Sequence, residues 1–212
     1  MEPALRTPPP VERIALFGGS FNPPHVAHLA VAEAAAEDAG LGQVLWMPAA
    51  TSPFKRGDPA VVPAEHRLAM TRLAVEGNPR FGVYDAEVSR GGVSYTVDTL
   101  RALRAEHPAA ELVLLLGGDS LAGFPGWREP EAALEMARLV VYRRPGFTEA
   151  GVPAEVLART RFVDAVPLEL SGTAIRARLA AGRTVRYLVP DAVVAYAEAH
   201  GLYGREGGAE RG

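Results

Sequence analysis

The segment Glu111 to Leu116 narrows the folds open to this chain more than any other, because its hydrophobicity is unbroken over the length of a strand. A strand with one face in water alternates apolar and polar side chains. A continuous run belongs instead to a sheet covered on both faces, the setting of parallel sheets in α/β folds. The rest of the chain repeats the theme, with strand-length runs over Arg13 to Phe17, Gln43 to Met47, Phe81 to Val88, Leu139 to Tyr142 and Arg161 to Val166. Helical patterns lie between them over His25 to Ala39, closed by Gly40, over Ala64 to Val75, and over Tyr95 to Glu106, where Val97, Leu100 and Leu103 recur three apart. Helices over Thr173 to Ala181 and Asp191 to Ala199 follow the last strand. The alternation predicts an α/β fold: a single-domain, Rossmann-like, doubly wound sheet, mostly parallel, with helices on both faces. That domain spans 11–203. Residues 1–10 and 204–212 offer little to bury and read as disordered tails.

Composition removes several classes of function. The 212 residues include no cysteine, which rules out disulfides, a thiolate nucleophile and a Cys-ligated zinc site. A net charge of −3 with scattered basic residues lacks the concentrated positive surface of a nucleic-acid binder, so none is expected as a partner. No apolar run is long enough to cross a bilayer, and the first residues lack the pattern of a secretory leader; the expected location is cytoplasmic, with no membrane partner. Self-association is left open.

In a doubly wound sheet ligands bind beyond the carboxyl ends of the strands, where strand order reverses. This directs attention to Gly18–His28, Pro48–Arg56, Gly117–Trp127 and Arg143–Gly146, each of which follows a strand. Gly18 and Gly19 permit a tight turn and close approach of a ligand to the main chain. The helix that follows offers N–H groups and the positive end of its dipole to an anion. His25 and His28, three apart on its first turn, add two donors. Zinc is not expected here: the histidine spacing is three rather than four, no Glu stands between them, and no third ligand is evident. The segment also lacks G-x-G-x-x-G, which argues against a dehydrogenase.

Leu170-Ser171-Gly172-Thr173-Ala174-Ile175-Arg176 forms a second such constellation, with Ser171 as N-cap and Thr173 and Arg176 on the opening turn of a helix. Each segment alone has an ordinary structural explanation, a glycine turn or a capped helix. Two in one chain suit a polyphosphate lying between two helix N-termini.

Gly18-Gly19-Ser20-Phe21-Asn22-Pro23-Pro24-His25-Val26-Ala27-His28 resembles the G-G-[ST]-F-[DN]-P-x-H-x-G-H signature of the nucleotidylyltransferase superfamily, and Ser171–Arg176 is similar to its second motif. Ser94-Tyr95-Thr96, Gly117-Gly118-Asp119-Ser120, Trp127 and Arg143-Arg144-Pro145-Gly146 resemble, in order, what bacterial nicotinate mononucleotide adenylyltransferases carry. The resemblance runs over nearly the whole chain. It implies transfer of AMP from ATP to nicotinate mononucleotide, with Mg²⁺ carried on the ATP and no residue forming a covalent bond. It also implies roles: His25, His28, Thr173 and Arg176 on the ATP phosphates beside Gly18, Gly19, Ser20, Phe21, Asn22, Gly117 and Ser171, and Asp119 at the ribose. Ser94, Tyr95 and Thr96 would meet the nicotinate carboxylate and Trp127 the pyridine ring, with Lys55 and Arg144 also on the acceptor side.

The sequence departs from the family pattern at Ala27 (usually Gly), at Ala49 and Phe54 (usually Asn and His), and at Gly172 (commonly Ser or Ala). Pantetheine-phosphate adenylyltransferases and cytidylyltransferases share the two end motifs, and a nucleotide-binding regulator that has lost catalysis is an alternative of another class. The retained His25, His28, Lys55 and Arg176 favour an enzyme.

Overall fold

A computed structural model describes residues 12–53, 57–143, 146–164 and 168–204; the two expected tails, except for Gly204, lie outside them, as do Phe54, Lys55 and Arg144. Six strands form one all-parallel sheet: β1 (Arg13–Gly19), β2 (Gln43–Pro48), β3 (Phe81–Val83), β4 (Glu111–Gly117), β5 (Ala137–Tyr142) and β6 (Thr160–Val163), in the order β3-β2-β1-β4-β5-β6. The order reverses between β1 and β4. The helices are α1 (Val26–Ala39), α2 (Ala64–Val75), α3 (Ala86–Arg90), α4 (Thr96–Glu106), α5 (Gly118–Gly123), α6 (Pro130–Met136), α7 (Ala154–Leu157), α8 (Gly172–Ala180) and α9 (Asp191–Ala199).

The period-two geometry of a strand divides each apolar run between two cores. Ile14, Leu16, Met47, Leu112, Leu114 and Leu139 pack on one face with Leu100 and Leu103 of α4, Leu121 of α5 and Ala133 of α6. Ala15, Phe17, Trp46, Val113, Leu115 and Val140 face the other way, towards α1. The stripe of α1 is Ala27, Val31, Ala32, Ala35, Ala36 and Ala39. Its small side chains let the helix backbone lie close over the fully buried Trp46. As expected, Gly40 ends α1 in the left-handed conformation, at φ 63°. A third cluster joins Met70 and Ala74 of α2 to Ile175 of α8 and Val193 and Ala197 of α9. It docks α8 and α9 against α2, which itself packs beside β3.

Three boundaries differ from the sequence reading. The third strand ends at Val83, and 86–88, expected as its continuation, opens α3. β2 stops at Pro48 and β3 has no second neighbour, so the ladder cannot continue; Gly91, at φ 70°, then closes the short helix. The sixth strand runs over Thr160–Val163 rather than Arg161 to Val166, whose residues 165–166 lie outside the described chain. Between β4 and β5, α5, a 3-10 turn at Phe124–Gly126 and α6 occupy a stretch for which the sequence reading predicts no helix.

The sheet opens a cleft at its reversal. β1 and β4 pair only as far as Leu16 and Leu114. Beyond these, Gly18 and Gly19 follow β2 while Leu115 to Gly117 follow β5.

Candidate active site

The cleft is the floor of the site. A cavity of about 310 Å³ lies over it, lined by Gly18, Gly19, Ser94, Tyr95, Thr96 and Trp127, together with Ser20 and Glu87. Seven residues expected around the substrates therefore converge from three separate parts of the chain.

Phe21 explains the second glycine. It sits at φ 44°, a left-handed value that only the close packing around it makes acceptable. Its ring is 5.6 Å from Phe17, 5.1 Å from Trp46 and 5.2 Å from the His28 ring. A Cβ on Gly19 would stand 2.9 Å from the Phe21 ring. The space at Gly19, expected to admit a ligand, is taken on that side by Phe21.

His25 caps α1 and is buried, 3% exposed. The His28 ring stacks on it at 3.6 Å between centroids and 23° between planes. The His25 backbone N–H donates to His28 Nδ1 at 3.2 Å. An accepting Nδ1 leaves the proton of neutral His28 on Nε2. The pair thus has a layered arrangement, with His28 the more accessible member. The first N–H of α1, expected to be free for an anion, instead donates from Val26 to the Leu188 carbonyl at 3.0 Å.

The two end motifs meet directly. Arg176 Nη1 donates to the Asn22 carbonyl at 2.9 Å and Nη2 to Thr173 Oγ1 at 3.3 Å. Ser171 caps α8 as expected, its Oγ accepting from the Ala174 N–H at 3.2 Å. The Asn22 side chain donates to the Ala60 carbonyl at 2.7 Å and accepts from the Val62 N–H at 3.3 Å and the Tyr203 hydroxyl at 2.7 Å. It latches the loop after β1 to the connection before α2 and to the segment after α9 at Tyr203. A Cβ on Gly172 would lie 2.9 Å from the Asn22 carbonyl oxygen. The departure at Gly172 therefore permits close approach of the two motifs.

Arg67, on α2, emerges only from the structure. It is 2% exposed and its fork donates to three carbonyls: Val62 at 3.0 Å, Ser20 at 2.9 Å and Ala50 at 2.9 Å. Burial holds its guanidinium below the usual arginine range. The sequence does carry a signal for it, since Arg67 shares the helical stripe of Met70, Thr71 and Ala74, all buried. Burial likewise raises the Tyr203 phenol.

The opposite wall is built around Ser94. Its N–H donates to the Thr51 carbonyl at 3.0 Å and its Oγ accepts from the Ala50 N–H at 2.9 Å. The loop after β2, including the departure Ala49, is thereby fixed to Ser94-Tyr95-Thr96. The Trp127 ring leans on Phe124 at 5.2 Å, and the Arg128 guanidinium lies 4.7 Å from the Tyr95 ring centre. At the end of β4, the hydroxyl of Tyr142 would meet a Cβ on Gly117 at 2.9 Å. Asp119, in the first turn of α5, is exposed; the next residue, Ser120, lines the cavity. Lys55 and Arg144 cannot be placed, being outside the described residues. Among the described residues no cluster of three or more His, Asp or Glu is arranged to hold a metal ion.

The chain has known relatives. A cytidylyltransferase-like family model matches residues 16–178. A Salinibacter ruber protein named "Probable nicotinate-nucleotide adenylyltransferase" is 50% identical over 190 residues, covering 90% of this chain and 97% of its own. A Thermus thermophilus protein of the same name is 47% identical over 191 residues, covering 90% and 99%. The solved Plasmodium falciparum nicotinic acid mononucleotide adenylyltransferase, determined in complexes with APC and with NaAD, shares the fold at a TM-score of 0.72 and 17% identity, over 91% of this chain and 97% of that one. The chain belongs to the cytidylyltransferase-like family, among relatives named as bacterial nicotinate-nucleotide adenylyltransferases.

Proposed function

We propose that the protein transfers the AMP moiety of ATP to nicotinate mononucleotide, giving nicotinate adenine dinucleotide and pyrophosphate in NAD biosynthesis. The observation that carries this reading is the contact between Arg176 and the Asn22 carbonyl, which joins the second motif to the first beside an aromatic-walled cavity. A phosphate oxygen of the mononucleotide attacks the α-phosphorus of ATP, and the bond to the bridging oxygen of pyrophosphate breaks in line. Both partners are anionic. The barrier therefore lies in bringing them together and stabilising charge on the leaving group.

His28 and Arg176 supply donors towards that charge, with Thr173 and the capped start of α8 beside them. The Nε2–H of neutral His28 suits donation to a phosphate oxygen. His25 acts mainly as the platform that fixes the His28 ring. Trp127 and Tyr95 offer flat surfaces to the pyridine ring, and the Tyr95 and Thr96 backbone offers N–H groups to its carboxylate, the Ser94 N–H being engaged by the Thr51 carbonyl. Lys55 and Arg144 remain assigned to the acceptor side, and Asp119 to the adenosine ribose. Mg²⁺ enters as part of the MgATP substrate, since it favours phosphate oxygens and water. No helix among the described residues is long and apolar enough to span a membrane. We place the reaction in the cytoplasm, where cell fractionation would locate it.

The test is pyrophosphate release from MgATP with nicotinate mononucleotide, nicotinamide mononucleotide or phosphopantetheine. Preference for the nicotinate form supports the assignment. Preference for another acceptor keeps adenylyl transfer and replaces the substrate, and ATP binding without turnover indicates the regulator.

A further inference from the structure

Glu87 is a buried acid in the wall of the cavity that the proposed reaction does not use. It sits on α3 at 2% exposure, among the residues lining the space beside Ser94, Tyr95 and Thr96. Oε1 accepts from the Thr99 hydroxyl of α4 at 2.8 Å. Oε2 is buried without a hydrogen bond of good geometry among the described residues, although the Ser94 hydroxyl lies close enough to favour the charged form. A carboxylate oxygen in that position is costly, whereas a protonated one removes the charge and supplies a donor. Burial, the larger influence, pushes the group up, while the Ser94 and Thr99 hydroxyls pull it down. The charged groups around it are Arg90 on its own helix and Asp98 on α4; Arg128, from the segment after the 3-10 turn, pairs with Asp98 at 3.7 Å.

An acceptor bearing a carboxylate on its ring brings a second negative charge into this wall. Two carboxylates sharing one poorly solvated site cannot both stay ionised without a large repulsion. We propose that Glu87 is a specificity-determining residue of the acceptor cavity, taking up one proton from solvent when a ring carboxylate binds, so that the neutral acid tolerates the anion. This rests on the reading of the cavity as the nicotinate site. A carboxamide imposes no such demand and binds without the proton.

The sign follows from linkage. A group protonated by binding favours the ligand fully at low pH, and the advantage is lost as pH rises above its free-state pKa, by up to about tenfold per pH unit for one proton. Selectivity, the kcat/KM for nicotinate mononucleotide divided by that for nicotinamide mononucleotide, cancels the shared phosphate and ribose. It should fall with rising pH in the wild type and stay flat in Glu87→Gln, which mimics the neutral acid. A merely structural Glu87 would change the selectivity without changing its pH slope. A wild-type selectivity independent of pH, or an equal slope in the variant, overturns the proposal.

Calorimetric binding of nicotinate mononucleotide to the wild type, in buffers of different ionisation heat across the same pH range, covers a variant that fails to fold. A net proton uptake supports the proposal and none at any pH overturns it. Absence of turnover with either acceptor would count against the proposed reaction, while the calorimetry would still decide the role of Glu87.

Discussion

Replacing Arg67 by Met tests whether one buried cation holds two site loops in place. Its three bonds reach the loop after β1 at Ser20, the loop after β2 at Ala50, and the chain entering α2 at Val62. Hydrogen bonds to a charged donor contribute about 1.5–3 kcal/mol each, which sets an upper sum of about 5–9 kcal/mol. Removing the guanidinium also removes the several kcal/mol needed to bury it. The net loss expected for Arg67→Met is about 2–4 kcal/mol. A chain of this size loses about 2–4 °C in Tm per kcal/mol, so Tm should fall by about 4–16 °C in a thermal scan. Arg67→Lys keeps the charge without the planar fork and should recover less than half of the stability. Because the Ala50 loop is tied to Ser94, acceptor KM should rise in both variants more than KM for ATP. A Tm within about 1 °C of wild type for Arg67→Met, or full recovery by Lys, would refute the reasoning.

Other substitutions probe separate parts of the site. His28→Ala should lower kcat by about 10²–10³, the usual cost of losing one preorganised donor, with little change in mononucleotide affinity by calorimetry. Gly172→Ala puts a methyl group 2.9 Å from the Asn22 carbonyl and 3.4 Å from Arg176 Nη1, so steady-state kinetics should show at least about a tenfold loss of kcat/KM, the cost of about 1.4 kcal/mol. Wild-type stability should decline as pH rises from the ordinary Glu value of 4.5 towards the raised folded-state value of Glu87, because the native state holds the proton longer than the unfolded chain. Urea melts across pH should show a shallower decline in Glu87→Gln.

Much of the fold was legible because the chain's physics is local and repeated. Unbroken runs such as Leu112 to Leu116 and the alanine stripe of α1 each name a buried setting, and the parallel sheet follows from their alternation. The α3 segment was misjudged because whether Tyr84 to Val88 continues a strand depends on whether a neighbour is present to pair with it, which no local pattern states. The site motifs at Gly18–His28 and Ser171–Arg176 were visible through their caps, glycines and spacing. Their contact, Arg176 to the Asn22 carbonyl, was not, since it joins residues far apart in sequence through main-chain oxygen. Arg67 and Glu87 receive no role from the sequence, where Glu87 falls within the stretch expected as the third strand. In both cases the tertiary structure buries the group, and only Arg67 left a trace in the pattern of its helix.

The most direct test of the account follows the α-phosphorus itself. Purified protein would be mixed with nicotinate mononucleotide and MgATP labelled at the α-phosphate, and the label traced by chromatography. The account predicts labelled nicotinate adenine dinucleotide, unlabelled pyrophosphate and no label on the protein. Label retained covalently on the protein would contradict direct transfer, and absence of a labelled dinucleotide would contradict the proposed reaction.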